Sequence, residues 1–152
     1  MPQAQRQRVI GATPADVWRT AGDPRHMARW WPKARRMEAV DERGFTQVLQ
    51  TEKGRDVRAD FVVTVIEPIH ELRFQQELIG TPFDGLLSHA ETAVMLSENA
   101  PGATTVTISM TRKLRGLARF GGVIMRRGMA RQLDEALDNL AALFPPLDAG
   151  GA

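Results

Sequence analysis

The chain contains no cysteine and no tyrosine, and aromatic residues make up only 6%. Without cysteine there is no disulfide, no thiolate nucleophile and no zinc–thiolate site. Histidine is scarce too: His26, His70 and His89 fall in no metal-ligand spacing, so neither a metal nor another cofactor is expected. No run approaches twenty apolar residues, and Met1–Gly11 is not a charged-then-apolar leader. The expectation is a cytoplasmic protein without signal peptide or membrane span. A dominant charge is also missing, since 20 Lys+Arg stand against 18 Asp+Glu for a net +2. What is present is an ordinary globular mix, 43% hydrophobic and 25% charged over 152 residues. That excludes wholesale disorder and fits one core. Residues 1–146 read as a single domain, and 147–152, small and glycine-rich, as a disordered tail.

Gln3–Ile10 reads as a first strand closed by Gly11-Ala12. Thr13-Pro14-Ala15-Asp16 then carries a helix start, with Thr13 as cap and Pro14 at the first helical position. Val17, Trp18 and Ala21 form its buried side, and Gly22 ends it. Asp23-Pro24 repeats the signal for a short helix over Arg25–Trp30. The middle of the chain is β by its punctuation: Arg36–Val40, Phe45–Thr51, Val57–Ile66, Glu71–Ile79, His89–Ser97 and Thr104–Arg112, separated by turn clusters. Alternation puts Leu72, Phe74, Gln76 and Leu78 on one face. Leu96 is expected opposite Val106, so that Thr92 and Val94 share a face with Ile108 and Met110. The order is α+β: a strand, two short helices, six further antiparallel strands, then a helix from about Leu117 to Phe144.

The last third is unusual in charge. Between Glu98 and Asp134 there is no acidic residue, yet Arg112, Lys113, Arg115, Arg119, Arg126, Arg127 and Arg131 all fall there. At 100° per residue, Leu117, Phe120 and Ile124 lie nearly opposite Met129, Leu133 and Leu140. Two arrangements satisfy this. The helix kinks at Gly121-Gly122 or at Gly128, each half burying its own stripe. Alternatively it is continuous, Phe120 and Ile124 are exposed, and Arg126 points toward the interior.

Val9-Ile10-Gly11-Ala12-Thr13-Pro14-Ala15-Asp16-Val17-Trp18, followed by Asp23-Pro24 and Trp30-Trp31-Pro32, resembles the opening of the SRPBCC (START-like, birch-pollen-allergen-like) superfamily. Val65-Ile66-Glu67-Pro68 with Glu71-Leu72-Arg73-Phe74 is similar to its mid-sheet strand pair. The order of elements matches from about Gln3 to Phe144, and the nearest likeness is to the bacterial polyketide cyclase/dehydrase branch. The resemblance implies a helix-grip fold, a curved antiparallel sheet of about seven strands wrapped around the C-terminal helix. It also implies a hydrophobic cavity between the two, with the short helices near its entrance. Members bind lipids, sterols, polyketides or hormones, a minority catalyse cyclisation, aromatisation or dehydration, and a chaperone-activator group acts through protein contacts.

With such a cavity, Phe61, Phe74, Val94, Ile108 and Met110 are expected as sheet walls and Met129 and Leu133 as the helix wall. Gln76 and Thr92 are polar residues at inward positions, and an unpaired buried amide costs roughly 1–3 kcal/mol, so each needs a partner. Trp30 and Trp31, adjacent, cannot both bury on one side; one is expected at the cavity mouth. Arg126, turned inward, would pair with an acidic head group. His89 is the histidine expected nearest the cavity, but no catalytic triad or dyad is readable from spacing. The leading expectation is binding of a lipid, polyketide or similar aromatic metabolite. The alternatives are a polyketide cyclase/dehydratase using a residue such as His89, and an adaptor docking on a protein or membrane through the Trp30-Trp31 and Phe120/Ile124 surfaces, with Arg115–Arg131 as the contact to an anionic membrane. Nucleic acid is not an expected partner.

Overall fold

The computed structural model describes residues 2–145, apart from the side chains of 117–119. The tail expected at 147–152, and the helix phases of Leu117 and Arg119, lie outside the described residues. Seven strands form one antiparallel sheet in the order β1-β7-β6-β5-β4-β3-β2. They are β1 (Gln3–Ile10), β2 (Ala34–Glu38), β3 (Gly44–Gln50), β4 (Asp56–Glu67), β5 (Glu71–Gln76), β6 (Leu87–Ala100) and β7 (Ala103–Leu114). Helix α1 (Pro14–Ala21) and a 3-10 turn (Pro24–Arg29) follow β1, and α2 (Gly122–Ala142) closes the chain. Among the described residues no helix is long and apolar enough to cross a membrane.

Local chemistry accounts for the element ends. Thr13 Oγ1 accepts from the Asp16 amide at 3.2 Å, capping α1, and Asp23 Oδ1 accepts from the Arg25 amide at 3.0 Å. The segment expected as a second short helix is a 3-10 turn: the amides of His26 and Trp30 donate three residues back, to Asp23 and Met27. Six residues are too few to propagate an α-helix without a nucleus. β5 stops at Gln76 rather than Ile79, because the chain leaves the sheet through a connection containing Gly80 and Pro82, neither of which sustains a ladder. Leu96 lies opposite Val106 as alternation requires, and Leu72, Phe74, Val94, Val106 and Ile108 are buried on the inner face.

The terminal helix is not continuous. A 3-10 turn over Gly116–Gly121 hands over to α2 at Gly122, so the break falls at Gly121-Gly122 while Gly128 sits within an unbroken helix. Consecutive glycines have the lowest helix propensity short of proline, which localises the break. From there Met129, Leu133, Ala136, Leu137 and Leu140 form one buried stripe against the sheet. Each large side chain in that stripe contributes roughly 1.5–3 kcal/mol. The ion pairs linking β1 to α2, Arg6–Asp134 and Arg8–Asp138, are solvent-exposed and contribute under about 1 kcal/mol each. Asn139 Nδ2 donates to the Trp30 carbonyl at 3.2 Å and ties the 3-10 turn to α2.

Candidate functional site

The inner face of the sheet is divided into two halves. In one, Val94, Ile108, Met129, Leu133 and Trp30 pack into a filled core. In the other, a cavity of about 190 Å³ remains open between the sheet and the first half of α2. Its floor is built from alternate residues of adjacent strands: Ala59 and Phe61 on β4, Phe74 and Gln76 on β5, Ala90 and Thr92 on β6, Met110 and Arg112 on β7. Met125 and Gln132 face it from α2, Phe83 and Leu86 from the β5–β6 connection, and Trp31 from the turn before β2.

Of the residues expected from sequence, Trp31, Phe61, Phe74, Gln76, Thr92 and Met110 line this space. Trp30, Val94, Ile108, Met129 and Leu133 belong instead to the filled half. The Trp30-Trp31 rings meet edge to face at 5.6 Å, so one ring fills the core while its neighbour forms cavity wall. Arg126 does not point inward: its side chain is exposed. The cavity side of α2 is held by Met125 and Gln132, and Arg126 has the angular phase of Leu133 and Leu137 but emerges exposed two turns before Leu133, close to the break at Gly121-Gly122.

His89 is also outside. It lies on the opposite face of β6, its Nε2 3.8 Å from Glu91 Oε2. Arg73 and Gln75 donate to the Glu91 carboxylate on that same outer face. Burial alone would raise the Glu91 carboxyl, but those hydrogen bonds outweigh it and hold it below the ordinary carboxylate range. Arg58 faces outward as well, paired with Glu38 at 3.1 Å. Among the described residues no group of three or more histidine, aspartate or glutamate side chains could hold a metal ion.

The polar groups that do face the cavity are few. Gln76, Thr92 and Gln132 make no side-chain hydrogen bond among the described residues, while Gln47 donates its amide to Met27 Sδ at 2.9 Å. Sequence reasoning missed Arg112. Its Nε is buried without a hydrogen-bond partner, and burial pushes its pKa below the usual arginine value. The signal was present in the strand period: Val106, Ile108 and Met110 point inward, and two residues further on the same alternation reaches Arg112. The remaining lining from Phe83, Leu86 and Leu87 comes from a connection and a strand start, where no periodicity applies.

The fold recurs widely among solved structures. A START superfamily protein from Mycobacterium smegmatis superposes with a TM-score of 0.77 at 8% identity, covering 95% of this chain and 97% of that one. XoxI from Bacillus cereus gives 0.75 at 15% identity, with 99% of each chain covered. The di-domain ARO/CYC BexL from the BE-7585A biosynthetic pathway gives 0.77 at 14% identity over 93% of this chain and 46% of BexL. At these identities the likeness establishes the helix-grip fold and nothing finer. No curated protein matches by sequence. A family model described as polyketide cyclase/dehydrase and lipid transport matches residues 1–145. With its order of elements, its sheet gripping α2 and that match over nearly the whole chain, the protein belongs to the polyketide cyclase/dehydrase and lipid transport family.

Proposed function

We propose that this protein binds a hydrophobic small molecule in the cavity between the sheet and α2. The observation that carries this reading is an apolar space left open beside a core that is otherwise filled. Protein interiors pack to near-crystalline density, and an empty volume of this size forfeits dispersion contacts along its whole lining. A ligand restores them. Aromatic walls from Trp31, Phe61, Phe74 and Phe83 favour a planar or chain-like apolar body, and the amides of Gln76 and Gln132 supply orientation. Binding is preferred to turnover because no histidine lines the space and Glu91, which borders it between Ala90 and Thr92, has its carboxylate engaged by Arg73 and Gln75.

Titration with a panel of fatty acids, polyketides and small aromatic compounds is expected to change the fluorescence of Trp31 saturably. Trp31→Phe serves as the control that assigns the signal. Ala59→Leu, which places a larger side chain in the cavity, is expected to abolish the change while preserving the fold by circular dichroism. A protein that yields nothing on solvent extraction and shows no thermal shift with any member of the panel would refute the reading.

A second reading concerns the outside of the same helix. Val123 and Ile124 are 62% and 79% exposed, Phe120 is 76% exposed, and Arg126, Arg127 and Arg131 are exposed along the following turns. Arg115 is engaged with the β5–β6 connection, donating to the Leu87 carbonyl at 3.2 Å and pairing with Asp84 at 3.5 Å. Exposed apolar residues beside cations that make no ion pair among the described residues fit an anionic bilayer surface, where each arginine contributes about 1 kcal/mol. Co-sedimentation with phosphatidylglycerol vesicles, and not with phosphatidylcholine, is the expected result. The double charge reversal Arg126→Glu with Arg127→Glu should weaken it at least tenfold, roughly, by the same arithmetic. Equal sedimentation with both lipids would exclude an electrostatic contact.

A further inference from the structure

Arg112 has no evident structural purpose. Its side chain projects from the inner face of β7 among Met110, Ala90 and Met125, which line the same cavity. The backbone amide donates to the Pro2 carbonyl at 3.0 Å, but the buried guanidinium Nε donates to nothing, and no ion pair involves this residue among the described residues. The carboxylate nearest in sequence register, Glu91, is held by Arg73 and Gln75 on the opposite face. A guanidinium cannot shed its proton in a protein. A half-buried charge whose Nε is enclosed without a partner or counter-charge costs desolvation, and a methionine or leucine of similar length would serve the fold better. What such a group offers is a planar fork of donors in a low-dielectric space, where an anion pairs with it most strongly.

We infer that Arg112 anchors the acidic group of the ligand, and that the ligand is a small apolar monocarboxylic acid, either aryl or medium-chain alkyl. This rests on the cavity-binding reading above. Three observations narrow the class. Arg112 is the one cation among the cavity-lining residues, and the one lining acid, Glu91, is neutralised by its pairing with Arg73, so a monoanion is matched, whereas a phosphate, with a charge near −2, would leave negative charge uncompensated. The cavity of about 190 Å³ lies below the roughly 300–1,000 Å³ of pockets for drug-sized ligands, which excludes sterols and multi-ring polyketides from fitting whole. The opposing walls are aromatic and aliphatic, with Phe61 and Phe74 in edge-to-face contact at 5.4 Å, so the remainder of the acid has to be apolar.

The test compares acids with their neutral isosteres by calorimetry on the intact protein: benzoate, phenylacetate and hexanoate against the three primary amides, with phenyl phosphate as a further arm. At least one acid is expected to bind, with its amide weaker by roughly thirtyfold, the equivalent of one charged hydrogen-bonded pair. In Arg112→Met the preference for acid over amide should disappear, and the empty variant should melt above the wild type. Amides that bind as tightly as their acids would mean a merely hydrated arginine and would overturn this inference while leaving the cavity reading intact. Tighter binding of phenyl phosphate than of phenylacetate would overturn the monoanion assignment. An Arg112→Met protein that melts well below the wild type would assign the guanidinium a structural role and defeat the proposal. If neither acids nor amides bind, the cavity reading falls and the inference with it.

Discussion

Phe74→Ala is expected to lower the stability of the protein by about 3–5 kcal/mol, the range for truncating a buried phenylalanine. Phe74 is 1% exposed and stands where the filled half of the sheet meets the cavity. Its ring meets Phe45 edge to face at 5.1 Å and Phe61 edge to face at 5.4 Å, and those two rings stack at 5.2 Å. Each such pair contributes about 0.5–1.5 kcal/mol beyond the area it buries. The neighbours have no route to collapse into the space, because Phe45 and Phe61 are cross-strand partners in the β3–β4 ladder and Phe74 pairs with Val63 and Thr92. For a chain of this length each kcal/mol shifts the melting temperature by about 2–4 °C, so the midpoint should fall by at least 6 °C, roughly. The same truncation merges the lost ring volume with the cavity, so the folded fraction should admit larger apolar compounds than the wild type. Urea titration and ligand titration of the same preparation measure both effects. A loss below about 1 kcal/mol would show that the aromatic trio is not integral to the core.

How far the amino-acid sequence made this site legible depends on which physical signal each residue carries. Alternation is a strong signal within regular strands, and it placed Phe74, Gln76, Thr92 and Met110 on the face where the cavity opens, whereas Val57–Ile66 is apolar on both faces and alternation leaves the phase of Phe61 open. It does not say where along that face the packing stops, since Val94 and Ile108 obey the same period and lie in the filled half. That boundary is set by the pitch and break of the terminal helix, a tertiary fact. Arg126 and Arg112 illustrate opposite failures. Arg126 had the apparent phase of the buried stripe, but the cavity borders only the Met125 flank of α2, so it emerges into solvent. Arg112 had the correct strand phase, and arginine's strong general preference for the surface spoke against it. His89 shares the outer phase of Glu91, since Thr92, Val94 and Leu96 take the inner one, so alternation itself turns it away; the bulge between Leu87 and His89 brings Leu87 to the inner face instead. For Trp30-Trp31 sterics required only that the two rings diverge and did not say which one borders the cavity; both are buried, and Trp31 is a wall of the cavity rather than its mouth. The Phe83–Leu87 wall had no local signal, being positioned by contacts that form only once β5, β6 and α2 are assembled.

Gly44→Ala should destabilise the protein by about 3 kcal/mol, the upper end of the usual cost of overpacking. As a sequence feature Gly44 looks like the end of the turn Asp41-Glu42-Arg43-Gly44, where glycine serves conformational freedom. In the fold it is the first residue of β3, and its role is clearance. A Cβ at Gly44 would lie 2.2 Å from the Phe61 carbonyl oxygen, a backbone atom that cannot swing aside as a side chain would. Neither partner is free to retreat. Asp41 Oδ1 accepts from the amides of Arg43 and Gly44 at 2.8 and 3.0 Å, and the Val63 amide donates to the Arg43 carbonyl at 2.8 Å. The added methyl therefore has to push β3 and β4 apart at the Phe45–Phe61 pair, which carries one end of the aromatic trio and a wall of the cavity. Stability and ligand affinity should fall together, and the near-ultraviolet circular dichroism of the aromatic residues should change. Gly85→Ala is the matched control: nothing lies within 4 Å of its Cβ, and a change within about 0.5 kcal/mol is expected. If both alanine variants unfold at the wild-type midpoint, the close approach of the two strands at Gly44 is not a constraint on the fold, and the wall formed by Phe61 is held by side-chain packing alone.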